Sequence, residues 1–456
     1  MGNKSINTKK FSVIISINLT FLAACGTALD VADTPQPVVP SETAANPTAT
    51  DEALRDLFEG ADLAITGLDG NILLADVESD EVFRLTEDAL PDPLPEETFI
   101  TYGEPTWSPV DERLAFIRTV RSSGEGLDVD ILVTGRDFKT VEIEADGEQP
   151  FYLYWSPDGN RLSFLASRPG ETISLWVKDL QDEGDRLDQG QPYFWDWAPD
   201  GSRLMAHVGG SITLNPDGAY LSFFGTDRIE LELPPLSFQA PAYSPNGEQI
   251  LVASRSVVDG DSLLMLGPEG DILQEIVPVE GRTSFAWSPD GSNFAVVNGP
   301  DLGSVHIGVL SLFSVNQEEL AEPTQNIGED VIAFWWSPDG SKLAYFVPVL
   351  SPSDLTQPIS MNAQDDNELF LQLYVYDLES DTSRRLSSFR PTEEFLRIMP
   401  YFDQYQRSST IWSADSQEIA YASLGENGFG QIFVVAVDGG GIPRRIAPGQ
   451  IAYWRN

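Results

Sequence analysis

The chain has 456 residues, with 71 Asp plus Glu against 27 Lys plus Arg, a formal net charge of −44, 41% apolar residues, two histidines and one cysteine. A chain this long and this apolar can bury a large core, which excludes both a disulfide-stapled miniprotein and an acidic disordered tail. A single cysteine rules out an internal disulfide and a Cys-based zinc site, and the negative excess opposes the counterion release that nucleic-acid binding needs, so no nucleic-acid partner is expected.

The first elements carry an address. Lys4, Lys9 and Lys10 precede a mostly apolar stretch, Phe11 to Phe21, of secretory length and too short for a permanent membrane-spanning helix. It ends in Leu22-Ala23-Ala24-Cys25-Gly26, which resembles the lipobox of bacterial lipoproteins, and the sole cysteine falls where that chemistry needs a thiol. Residues 1–24 are therefore read as a signal peptide and Cys25 as the lipidated residue, placing the protein on the extracytoplasmic face of a bacterial membrane, inner or outer. Residues 25–55 are rich in Ala, Thr, Pro and Asp with no apolar period, and read as a disordered stalk that spaces the folded domain, 56–456, from the membrane.

Beyond the stalk the chain repeats itself. Trp155-Ser156-Pro157-Asp158-Gly159 recurs at Trp287 and Trp336, with looser copies beginning at Trp107, Trp197, Tyr243 and Trp412. Ser accepts at the start of a turn, Pro presets φ, Asp or Asn tolerates the third position and Gly relieves the fourth, so each copy predicts a hairpin turn after an aromatic-ended strand. Alternating segments follow, as in Arg161-Leu162-Ser163-Phe164-Leu165-Ala166, then a third and a fourth strand, making each unit a four-stranded antiparallel meander. Successive anchors lie 48, 42, 46, 44, 49 and 76 residues apart, the period of propeller blades.

These turns and spacings resemble the TolB-like, WD40-like (PD40-type) β-propeller family, over roughly residues 60 to 456. The resemblance implies an all-β propeller and partners in the cell envelope: a protein, a peptide or a glycan. Asp62 to Thr86 reads as the second to fourth strands of a unit whose first strand is Ile451 to Trp454, with Trp454 as its anchor. Together they predict an eighth blade shared by the two ends, with seven blades as the next choice.

Few residues suggest chemistry. The turn aspartates lie one per blade and serve their own turns, and the repeat tryptophans read as core anchors. His207 and His306 fall in strands with no nucleophile near in sequence, and no Gly-x-Ser-x-Gly elbow occurs. Asp259-Gly260-Asp261 and Asp365-Asp366-Asn367 could touch Ca²⁺ but complete no calcium loop, and Gly439-Gly440-Gly441 reads as a hairpin tip. No catalytic residue, metal or cofactor is assigned.

The long interval from Trp336 to Trp412 holds two insertions, Pro348 to Glu368 and Arg390 to Thr410, which strand direction places on the face opposite the Ser-Pro-Asp-Gly turns. The second includes a short predicted helix from Thr392 and the residues Phe395, Arg397, Met399, Tyr401, Phe402, Tyr405 and Arg407. Two readings stand side by side: these residues form a partner-binding rim, or their aromatics plug the ring mouth. The sequence thus predicts a monomeric, lipid-anchored binding or scaffolding propeller that touches the membrane only through its anchor. The alternative is a calcium-assisted propeller hydrolase or lactonase.

Overall fold

The repeated turn closes because each of its residues has a separate task. Ser156 Oγ donates to Asp158 Oδ1 at 2.6 Å and accepts from Arg161 N at 3.0 Å, and Asp158 Oδ1 also accepts from Asn160 N. The Ser bond holds the Asp158 carboxyl below the usual carboxylate range. The same bond recurs from Ser288 to Asp290, Ser337 to Asp339, Ser413 to Asp415 and Ser244 to Asn246, at 2.6 to 2.7 Å. Gly159 lies at φ +65°, and a Cβ there would sit 2.4 Å from Val110 of the neighbouring turn, so both conformation and space require glycine.

In the computed structural model, which describes residues 58–455 apart from 95–96, 123–125, 210–217, 237–238, 256–259, 280, 301–306, 317–319, 321, 350–368 and 439, these hairpins build eight antiparallel sheets. Blade 1 comprises Phe99–Trp107, Leu114–Arg121, Leu127–Thr134 and Val141–Ile143. Blades 2 to 6 begin with the inner strands Gln149–Trp155, Tyr193–Trp197, Ala242–Tyr243, Arg282–Trp287 and Ala333–Trp336, each followed by three more. Blade 7 differs from expectation: its sheet has three strands, Glu418–Leu424, Gly430–Ala436 and Arg444–Pro448, and its inner strand is reduced to the bridge Trp412↔Ile419. The insertion just before Thr410 delivers the chain from the ring centre, leaving little length for pairing. Among the described residues no helix is long and apolar enough to cross a membrane.

Blades are joined mainly by anchor indoles. Trp155 Nε1 donates to Thr106 O, Trp287 Nε1 to Ala242 O, Trp336 Nε1 to Ala286 O and Trp412 Nε1 to Trp335 O, at 3.0 to 3.2 Å. In each pair the acceptor precedes the anchor of the blade before. Trp197 Nε1 instead reaches Ser163 Oγ on the second strand of blade 2. On the turn side, the Arg113 and Arg161 guanidinium groups lie over the rings of Trp155 and Trp197, and each donates to the turn glycine carbonyl of the next blade, Gly159 O or Gly201 O.

Blade 8 is the predicted composite. Ile451–Trp454 pairs with Leu63–Thr66 in the register Leu63↔Trp454 to Thr66↔Ile451, and Ile72–Asp76 and Glu81–Arg84 complete the sheet. All four residues of the closing strand are buried. Deleting Ile451 to Asn456 should remove a Trp burial worth about 3–5 kcal/mol together with the ladder bonds, lowering the melting temperature by many degrees. Calorimetry showing a melt within a degree of the intact chain would contradict closure at this blade.

Candidate functional site

An eight-bladed ring leaves a channel lined by apolar inner strands, and in this chain the insertion before blade 7 fills it. Thr392 starts helix α1 (Glu393–Ile398) by accepting from Phe395 N at 3.2 Å, and its hydroxyl donates to Gln450 O at 2.5 Å. A 3₁₀ turn, Met399–Tyr401, leads into helix α2 (Phe402–Ser408). Together these elements reach inner strands around the whole ring. Arg397 pairs with Glu104 of blade 1, and Tyr152 OH of blade 2 donates to Gln404 O at 2.9 Å. The Gln404 amide brackets Trp195 of blade 3, accepting from its N and donating to its O, both at 2.9 Å, as a neighbouring strand would. Asp403 Oδ2 accepts from Ala240 N ahead of blade 4 at 2.9 Å, and Arg282 of blade 5 donates to Pro400 O. Phe402 packs on Phe334 of blade 6 with ring centroids 4.9 Å apart.

This arrangement decides what the sequence-predicted residues do. Phe395, Met399, Phe402 and Tyr405 are buried, Phe402 to 1% exposure. They fill the channel, because the apolar faces of the inner strands need cover. Tyr401 is half-buried, and Arg397, 40% exposed along its side chain, borders a cavity of about 260 Å³ on the insertion face with Glu104 and Glu394. Arg407 reaches through to the opposite side. Phe402→Ala should therefore cost about 3–5 kcal/mol of stability. A thermal melt of the variant matching the parent would put this ring outside the core.

The opposite side holds a feature the sequence reading missed. The Ser-Pro turns of blades 2, 4, 5 and 6 and the Ala198-Pro199 turn of blade 3 surround a funnel of about 450 Å³, lined by Trp197, Trp287, Trp336, Pro199, Pro245 and Pro289 together with Gln406 and Arg407. Beneath it Asp196 joins four parts of the chain: it accepts from Tyr154 OH at 2.9 Å, from Tyr243 N at 2.8 Å and from Arg407 Nη1. Burial pushes the Tyr154 hydroxyl pKa far up, and the Asp196 charge adds to it. Arg407 also donates through Nε to Asp403 O at 2.8 Å, while its Nη2 and Gln406 Nε2 have no partner among the described residues. The polar groups of the turns bond locally, which their residue types predict. What the sequence could not supply was that five prolines, each one residue after a turn Ser or Ala, converge once the ring closes.

His207 is wholly buried on the second strand of blade 3, with Nδ1 2.8 Å from Gln239 O. Burial lowers its pKa to about 4, against the Gln239 carbonyl, which favours the charged form. The folded state thus binds the proton less well than the unfolded chain, so this contribution to stability is complete above pH 6.5 and is lost as pH falls toward 4. His207→Asn should flatten that part of the stability profile, by up to about 3 kcal/mol, which denaturant melts between pH 7 and 4 would read. A difference between parent and variant that does not change with pH would contradict it. His306, Asp259, Asp365, Asp366, Asn367 and Gly439 lie outside the described residues, as do Cys25 and most of the first insertion. Among the described residues no three His, Cys, Asp or Glu side chains come together as a metal site would require.

No family model matches the chain, and no curated protein matches its sequence. Solved structures do. A eukaryotic initiation factor structure is 13% identical, covering 87% of this chain and 98% of its own, with a TM-score of 0.49. TolB from Acinetobacter baumannii is 12% identical, covering 78% and 82%, with a TM-score of 0.36. An oligogalacturonate lyase in complex with manganese is 13% identical, covering 77% and 86%, with a TM-score of 0.43. Likeness at this level carries nothing about activity, and the eight-bladed assignment rests on the strand pairing described above.

Proposed function

We propose that this protein is a lipid-anchored, extracytoplasmic propeller that acts as a binding or scaffolding module for a protein, peptide or glycan of the cell envelope. The observation that carries the binding reading is the turn-face funnel, a concavity with largely apolar walls set in a ring whose blades are pinned to one another and to a central insert. Its walls belong to neighbouring blades held by indole and guanidinium contacts, so it is formed before any ligand arrives, which lowers the ordering cost of binding. The address rests on the Lys-rich start, the apolar stretch and Cys25 in its lipobox-like setting.

Phe58 packs edge-on against Trp107 at 6.0 Å and Phe138 at 5.6 Å, and Glu59 pairs with Arg136 at 3.2 Å, all at the turn end of blade 1. The described part of the chain therefore begins on the turn face, the side from which the proposed stalk would lead back to Cys25. Cys25→Ala should move the protein from the detergent phase to the aqueous phase on phase partitioning, since no other thiol exists to take the lipid. An unchanged detergent-phase fraction would contradict the anchor. For the binding reading, photo-crosslinkers at turn-face and insertion-face positions on intact cells should give one recurrent, site-dependent partner. Adducts independent of crosslinker position would contradict it.

A further inference from the structure

We propose that the turn-face joint between blades 5 and 6 binds a guanidinium group, the arginine side chain of a partner peptide, over the Trp336 indole, with the Gly340 carbonyl and the Asp290 carboxylate as acceptors. The inference rests on the binding-module reading and names the ligand chemistry of one site within it.

The repeat itself displays the contact. The sixth residue after an inner-strand anchor stands at the start of the second strand, beside the turn of the next blade. In blades 1 and 2 this residue is Arg113 or Arg161. Its guanidinium lies 5.3 or 4.9 Å from the centroid of the next anchor ring, Trp155 or Trp197, and donates to the turn glycine beyond it, Gly159 O or Gly201 O. Trp107 is covered by Arg455 at 5.7 Å. In blade 5 the same position holds Asn293, whose Nδ2 turns back to Ser292 Oγ at 2.8 Å. Trp336 is accordingly 7% exposed, against 2% for Trp155 and 3% for Trp197, and it lines the funnel with Pro289 and Pro338.

The acceptors around Trp336 repeat those that hold Arg161. A Cβ on Gly201 would meet Arg161 Nη2 and Asp158, each at 3.7 Å, whereas one on Gly340 would meet Asp290 at 3.8 Å with no guanidinium beside it. The Gly340 N–H bonds to Ser337 O, and the Gly340 carbonyl has no donor among the described residues. Asp290 Oδ1 accepts from Ser288 Oγ and Ser292 N, and Oδ2 from Ser292 Oγ, which leaves Oδ2 able to accept again. Although burial opposes ionisation, the bonds from Ser288 and Ser292 hold this carboxyl below the usual carboxylate range, so it is charged at neutral pH. Asp158 has the Arg161 charge to balance it, and Asp290 has none from its own blade, where Asn293 replaces the arginine. The joint between blades 4 and 5 also lacks an arginine, with Gln249 at that position, but its turn carries Asn246 where Asp290 stands and supplies no carboxylate there.

This set of groups suits a guanidinium better than an ammonium. A planar, weakly hydrated cation can lie on the indole while its in-plane N–H groups reach a carbonyl and a carboxylate, as Arg161 does within the chain. The net charge of −44 draws cations toward the protein from a distance.

The test is titration of the full-length protein, its tryptophans labelled with nitrogen-15, with Ac-Gly-Arg-Gly-NH₂ and with its citrulline counterpart, which keeps the shape and removes the charge, at one ionic strength. The arginine peptide should shift the Trp336 indole resonance saturably and bind at least about fivefold more tightly than the citrulline peptide. Asn293→Arg, which supplies the guanidinium from the chain itself, should weaken peptide binding about tenfold, and Asp290→Asn, an exchange already present at Asn246, about fivefold, both with a melting temperature no more than about two degrees below the parent. Equal binding of the two peptides, binding insensitive to both substitutions, a shift confined to other indoles, or no saturable shift at the solubility limit would each overturn the inference. A recurrent partner crosslinked on cells while the arginine peptide fails would leave the binding reading standing and remove only this site.

Discussion

The indole that ends an inner strand and donates to the backbone of the blade before it is the contact on which this ring depends. Each such bond is worth only about 1 kcal/mol net, but it comes with burial of the largest side chain available, and the pair fixes both the distance and the angle between adjacent blades. The pattern runs through Trp155, Trp287, Trp336 and Trp412, and its interruptions are informative. Around blade 8, Trp107 Nε1 and Trp454 Nε1 have no partner among the described residues. There the chain compensates with backbone contacts, Trp454 N to Thr410 O at 3.0 Å and Arg455 N to Asp62 O at 2.7 Å, and with the Arg455 guanidinium over the Trp107 ring.

Indole contacts link only neighbouring blades, and a ring held by neighbours alone can breathe at its weakest joint. The central insert changes this, because α1, the 3₁₀ turn and α2 contact strands from around the whole ring. Its polar groups are placed where the inner strands offer unpaired backbone: Gln404 at Trp195, Asp403 at Ala240 and Thr392 at Gln450. The cost appears at Asp403, where burial raises the carboxyl pKa against the opposing charge of Arg282 and where Oδ1 has no partner among the described residues. The channel is thereby divided: one end is closed by apolar side chains, and the other becomes the funnel above Arg407.

Much of the architecture is legible in the amino-acid order, for identifiable reasons. Ser-Pro-Asp-Gly encodes its hairpin locally, so the position of each turn follows from four residues, and the 42-residue step from Trp412 to Trp454 extends the period through the closing strand. The short inner strand of blade 7 is not legible, because it results from where the insert leaves the chain and not from the composition of Thr410 to Trp412. The site is less legible still. Phe395, Met399, Phe402 and Tyr405 have the composition of an exposed interface as much as of a core, and only the diameter of the ring decides between them. Arg407 stands in sequence beside neighbours that belong to the insertion side, yet helix α2 carries it through to the turn side, where Asp196, some two hundred residues distant in sequence, holds it.

The claim that the insert belongs to the core is open to one direct measurement, native-state hydrogen exchange at the amides that donate to its side chains. Trp195 N and Ala240 N have Gln404 and Asp403 as acceptors and should exchange only through global unfolding, with protection equal to that of mid-strand amides such as Leu165 or Val296. Exchange of these two amides at loop-like rates, while the blade ladders stay protected, would show an insert that opens independently of the ring and would contradict the account.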